Sequence, residues 1–169
     1  MIGGGRKSPG PAAGGISENS VSYTRIIVPV HGTKSDKKAI ELAGMLGSGK
    51  DTDLVLVYVV EVAQSLPLEA DLPGDASSGE SVLAQAEAWA RSASDGRIGR
   101  VRAELLQARS AGAAIVDEAI ERGADVIVMA LRQHMRHGQP TRGSTVPYVL
   151  ENAPCEVVVN RLPAVDCAE

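Results

Sequence analysis

Between Val126 and Leu150 the chain carries no Asp or Glu, although the whole protein has a formal net charge of −4. The same window holds Arg132, His134, Arg136, His137 and Arg142, and it leads into Gly143-Ser144-Thr145, a sequence able to open a helix. Cationic side chains running into a helix N-terminus suit phosphate. Guanidinium groups grip its oxygens in pairs, and the free N–H groups and dipole of the helix favour negative charge. Gly138 and Gly143 supply flexible points in the segment. The alternative is a solvated loop whose arginines face water.

The chain has three histidines, and the third, His31, follows the first β-rich run. His134-x-x-His137 could offer two nitrogens to one ion, but a cationic loop with no acidic partner opposes a divalent metal, so none is expected. A contact to an anion, strengthened as the imidazoles protonate below about pH 6.5, is the simpler role.

Other motifs lead away from catalysis. Gly32-Thr33-Lys34-Ser35 lacks the adjacent Gly-Lys of a phosphate-binding P-loop, and the motif's first glycine has no counterpart among residues 25–31, Pro29 included, so Thr33 or Ser35 with Asp36 reads as a helix cap. Ser144 has no Gly-x-Ser-x-Gly elbow around it; its expected work is to cap the next helix and touch a phosphate. Trp89 and Cys155 fall on apolar patterns and read as core residues. No catalytic residue is assigned. Slow hydrolysis of a phosphate ligand ranks last, because no carboxylate stands near the proposed phosphate position to hold Mg²⁺ or a water.

The elements that must position these residues follow from periodicity. Arg25 to Val30 is a short β-rich run, and Ala39, Leu42, Ala43 and Leu46 then repeat at helical spacing up to Gly47 and Gly49. Asp53 to Val60 is a continuous apolar strand. Glu61 to Gly79 reads as an acidic connector, or alternatively as a lid that neutralises the basic loop. Val82, Leu83, Ala86, Trp89, Ala90 and Ala93 mark a second helix closing near Gly96. Arg100 to Leu106 is a strand, Ala111 to Arg122 a helix, and Asp125 to Met129 a strand. Ser144 to Asn152 is a fourth helix and Glu156 to Val159 a fifth strand. The spacing therefore predicts an α/β domain with an open five-stranded parallel sheet in the order 3-2-1-4-5 and helices on both faces. Ligands of such sheets bind where strand order reverses, here beyond the first and fourth strands.

Composition agrees with this plan and narrows the partners. With no Phe, one Trp and three Tyr among 169 residues, the core must be aliphatic, as in parallel sheets under alanine-rich helices. A net negative chain with one local basic patch argues against nucleic acid or an anionic membrane as partner. Two cysteines, Cys155 and Cys167, are too few for a disulfide framework, and no signal or spanning segment is evident, so a cytoplasmic protein is expected. Residues 1–23 and 163–169 read as flexible tails around a domain at 24–162, the first rich in Gly, Ser and Pro and in part an expression remnant.

The stretches "RIIVPVHGTKSDKKAIELA", "ARSAGAAIVDEAIERGADVIVMA" and "GSTVPYVLENAPCEVVVNR" resemble a universal stress protein domain. The resemblance implies a Rossmann-like fold of the adenine nucleotide alpha hydrolase type and a homodimer through the last strand. It also implies binding of ATP or another adenine nucleotide, with or without Mg²⁺. The ATP-binding pattern of that family, Gly, two residues, Gly, nine residues, then Gly and Ser or Thr, falls on Ala130, Gln133, Gly143 and Ser144. Its spacing is kept and its first two glycines are not; His31 stands where the family usually has Asp. On this reading Pro29, Val30 and His31 line the base and ribose side. Met129, Ala130, Arg132, Gln133 and Arg136 meet the phosphates, and Gly143, Ser144 and Thr145 cap them. "TVPYVLENAPC" is also similar to domains attached to amino-acid permeases, so the alternative is a nucleotide-independent dimeric interaction module linked to a transporter.

Overall fold

Four runs of Val, Ile and Leu, each too short for a helix, become neighbouring strands because their backbone groups can pair only with one another once their side chains leave water. The computed structural model describes residues 22–95, 98–132, 134–136, 139–141 and 143–163, with 134–136 and 139–141 as backbone only. In chain order the elements are β1 (Arg25–Pro29), α1 (Lys34–Leu46), β2 (Asp53–Glu61), α2 (Pro73–Ala93), β3 (Arg100–Ala108) and α3 (Ala111–Arg122), then β4 (Val126–Arg132), β5 (His134–Arg136), β6 (Gln139–Thr141), α4 (Thr145–Asn152) and β7 (Glu156–Leu162). The main sheet is parallel throughout, in the order β3-β2-β1-β4-β7. Counting only its own strands, that is the expected 3-2-1-4-5.

Period-two alternation divides the strand residues between two cores. Ile26, Val28, Leu54, Leu56, Val126 and Val128 face α1 and α2, where Ala39, Ile40, Ala43, Leu83, Ala86 and Ala90 close over them. Ile27, Val55, Val57, Ile127 and Met129 face α3 and α4, against Ile115, Ala119 and Val149. Trp89 packs against the first core and Cys155 against the second, as their sequence positions suggest. Burial is the main cause that holds the Cys155 thiol pKa above its ordinary value, consistent with an unreactive thiol.

Three expectations are corrected. Helix α2 begins at Pro73, inside the segment read as a loop, because proline at the first helical position loses no internal bond. Gly79 then falls within this helix and lets it pass close to β2 and β3: a Cβ there would stand 2.5 Å from Leu105 and 2.7 Å from Tyr58. The stretch after β4, read as an open loop, contains the antiparallel pair β5–β6, with His134 opposite Thr141 and Arg136 opposite Gln139. Strands β4 and β7 also run three residues further than the apolar pattern, since their last residues pair with each other from Ala130↔Asn160 to Arg132↔Leu162.

The remaining connector, 62–72, is tied down from β3 and the residue after it. The Arg109 guanidinium donates to the carbonyls of Val62, Ala63 and Leu66, and the Gln107 amide to those of Leu68 and Ala70, at 2.6 and 2.8 Å. Glu61 accepts the N–H of Ala111 at 2.8 Å and so covers the start of α3. This segment is anchored at the β3 edge.

Candidate functional site

The cleft has a cause in the strand pairing. β1 pairs with β2 along its whole length, but its ladder with β4 ends after Ile26↔Val126 and Ile27↔Ile127. Beyond that point β1 turns into α1 on one face, and the chain after β4 reaches α4 on the other. The carboxyl ends therefore part, and a cavity of about 450 Å³ opens between them. Its walls are Pro29, His31 and Thr33 to Asp36 on one side, and Met129 to Arg132, Gly143, Thr145 and Val146 on the other.

Most of the residues expected at the site are brought together here: Pro29, His31, Met129, Ala130, Arg132, Gly143 and Thr145. Val30 is a correction. Its side chain is fully buried in the first core and its N–H bonds the Val57 carbonyl at 2.9 Å, because strand alternation turns it away from the cleft. Ser144 is another: it is exposed, lies outside the lining and makes no capping bond. Its backbone is already helical (φ −80°, ψ −20°), whereas a capping hydroxyl needs an extended residue to reach back over the first turn. Gln133, His137, Gly138, Arg142 and the side chains of His134 and Arg136 lie outside the described residues.

Sequence reading left Thr33, Lys34, Ser35, Asp36, Leu131 and Val146 out of the site. Asp36 is the most informative of them. Only 5% exposed, its Oδ2 accepts the N–H groups of His31, Gly32 and Thr33 at 2.8, 2.7 and 2.9 Å, and its Oδ1 accepts the Thr33 hydroxyl at 2.8 Å. Three successive N–H groups pointing at one point form an anion nest, and Gly32 makes the curl possible by taking φ +83°. The protein's own carboxylate fills this nest. Thr33-x-x-Asp36, with a glycine just before it, was the signal that could have revealed it.

Across the cleft the electrostatics are reversed. α4 has no acidic residue in its first turn and no side-chain cap, so its leading N–H groups and dipole face the opening without an internal anion. Arg132 reaches over the cleft and donates from Nε to Ser35 Oγ at 3.3 Å, linking the two walls, while Lys34 adds a second cation to the lining. Gly143, at the mouth of α4, is unlike Gly32. A Cβ built on it meets no atom of the described residues within 4 Å, so nothing among them demands glycine there.

A second cavity of about 210 Å³ lies at the opposite, amino end of the sheet, among Arg25, Asp53, Arg102 and Arg122. Arg102 pairs there with Asp53 at 3.2 Å, Arg122 reaches Glu104 and Glu118, and Arg25 donates to the Arg122 carbonyl at 3.2 Å, while Asp53 Oδ1 is buried without a partner among the described residues.

Among the described residues, no group of three or more His, Cys, Asp or Glu could hold a metal, and no helix is long and apolar enough to cross a membrane.

The model of the "Universal stress protein family" matches residues 22–161. No curated protein matches. Among solved structures, a universal stress protein from Archaeoglobus fulgidus is 19% identical with a TM-score of 0.66, the match covering 81% of this chain and 98% of that one. The same archaeon's protein in complex with dAMP gives 19% and 0.62, over 81% and 97%. A universal stress protein in complex with cAMP gives 18% and 0.57, over 83% and 98%. Likeness at these identities carries the fold.

Proposed function

Because the chain belongs to the universal stress protein family, we propose that it is a stress-response regulatory protein of the cytoplasm that binds an adenine nucleotide, ATP or a relative, between the ends of β1 and β4. Pro29 and His31 take the base and ribose side. Met129, Ala130 and Arg132, with Gln133 and Arg136 from the following segment, meet the phosphates, and Gly143 and Thr145 bring the start of α4 to them. The observation that carries this is Gly143. A glycine whose Cβ position meets no described atom within 4 Å has no reason among the described residues to lack a side chain, and it stands where an approaching anion would need the backbone bare. The cavity volume falls in the range of small-molecule sites. Complexes of similarly folded proteins with dAMP and cAMP lend support.

The role is regulatory rather than catalytic, since the only carboxylate among the described lining residues, Asp36, is fully engaged in the β1–α1 turn. Self-association through β7 belongs to the same reading. β7 is a seven-residue edge strand with Val157, Val158 and Val159 only partly buried, and an edge of that kind pairs readily with a second copy.

Thermal unfolding with and without about 1 mM ATP, AMP or cyclic AMP tests the proposal. A ligand at 100 times its Kd adds about 2.7 kcal/mol, worth several degrees. Gly143→Val should unfold within about 0.5 kcal/mol of the parent without ligand, and should lose the ligand-induced rise. A rise that survives Gly143→Val would move the ligand elsewhere. No rise with any of the three would favour a nucleotide-independent dimeric module.

A further inference from the structure

The Mg²⁺ that accompanies a nucleoside triphosphate is usually held by one or two protein carboxylates together with phosphate oxygens. The donor set of this cleft does not fit that ion. Asp36 is the one described lining carboxylate, and both of its oxygens are taken by hydrogen bonds within its own turn. Freeing it would leave three N–H groups without their acceptor. The Ser35 hydroxyl is taken by Arg132. Thr145 offers a single neutral oxygen. The sequence offers no further acid from this side, since no Asp or Glu occurs anywhere from Val126 to Leu150. Lys34 and Arg132 meanwhile line the cavity, and a divalent cation brought between them would meet like charge.

We propose that the cleft takes its nucleotide as a bare anion, without a divalent cation, and that the occupant is a nucleoside monophosphate. The proposal rests on the nucleotide reading above and narrows it. Triphosphates chelate Mg²⁺ strongly and would present themselves as the complex the cleft rejects. Monophosphates chelate it weakly and arrive uncomplexed.

Calorimetric titration of the full chain with AMP and with ATP, each in EDTA and in excess Mg²⁺, decides the matter. AMP affinity should agree between the two media within about twofold, and ATP should weaken by about tenfold or more when Mg²⁺ is added. ATP that binds only with Mg²⁺, or equally well with and without it, would overturn the exclusion of the metal. ATP binding in EDTA with no binding of AMP would overturn the monophosphate assignment. Failure of both nucleotides in both media would instead overturn the nucleotide reading itself.

Discussion

Asp36→Ala is the substitution whose consequences follow most directly from the geometry. It removes the acceptor of three N–H groups at 2.7–2.9 Å and of the Thr33 hydroxyl at 2.8 Å. Hydrogen bonds to a charged group contribute about 1.5–3 kcal/mol each when taken singly. Here three share one oxygen, and His31, Gly32 and Thr33 are exposed enough for water to replace part of what is lost, so the sum must be reduced. The expected loss is about 3 kcal/mol, or about 10 °C in Tm for a domain of this size. Asp36→Asn keeps one carbonyl oxygen and should lose about half as much. The emptied nest should also accept an outside anion, so added formate should raise the Tm of Asp36→Ala in a concentration-dependent way and leave the parent unmoved. Urea unfolding provides the free energies and thermal scans the rescue. A loss below about 1 kcal/mol in Asp36→Ala, or an equal response to formate in parent and variant, would refute the idea that Asp36 is the anion this turn was built around.

Two further outcomes are expected. The Thr24 hydroxyl, at 2.7 Å, is the largest influence holding the Asp125 carboxyl below its ordinary value of 3.8, with the N–H groups of Arg25 and Thr24 assisting. Its stabilisation is complete above that ordinary value and disappears as pH falls through the lower folded one. Asp125→Asn should therefore cost about 1–2 kcal/mol at pH 7, and its Tm gap from the parent should close below pH 3.8. Arg109→Met removes three donors from the carbonyls of Val62, Ala63 and Leu66 at a solvent-exposed position. Global stability should fall by only about 1 kcal/mol while limited proteolysis within 62–72 speeds up severalfold; an unchanged cleavage rate would show that the anchor is dispensable.

The five strands of the main sheet and all four helices were legible from their apolar periods, and the sheet has the expected order; of α2 only the start was missed. What escaped had competing local signals. Pro73-Gly74 punctuates a loop as readily as it opens a helix, and only the packing of Gly79 against Tyr58 and Leu105 shows that the helix begins there. The last turns of β4 and β7 carry Arg132, Asn160 and Arg161, polar residues beyond the edge of the core, so strand pairing rather than burial extends them. The site was legible as two facing chain segments. Its inner chemistry was legible only in part: Thr33 with Asp36 could be read as a helix cap, whereas the nest that Asp36 fills is made of backbone N–H groups, which leave almost no compositional trace. Val30 was misplaced for a simpler reason: adjacency in sequence to Pro29 and His31 does not survive the alternation of a strand.

The five bonds that hold residues 62–72 all end on main-chain oxygens. The anchors therefore recognise the path of the chain and not its letters. Val62 is buried, but from 63 onward any sequence that can trace the same course as far as Ala70 satisfies Gln107 and Arg109 equally well, so that stretch is free to drift faster than its surroundings while keeping its shape. For an engineer it is a ready-made display position: a short foreign epitope substituted there would be presented on a fixed backbone, at the β3 edge of the sheet and away from the cleft walls.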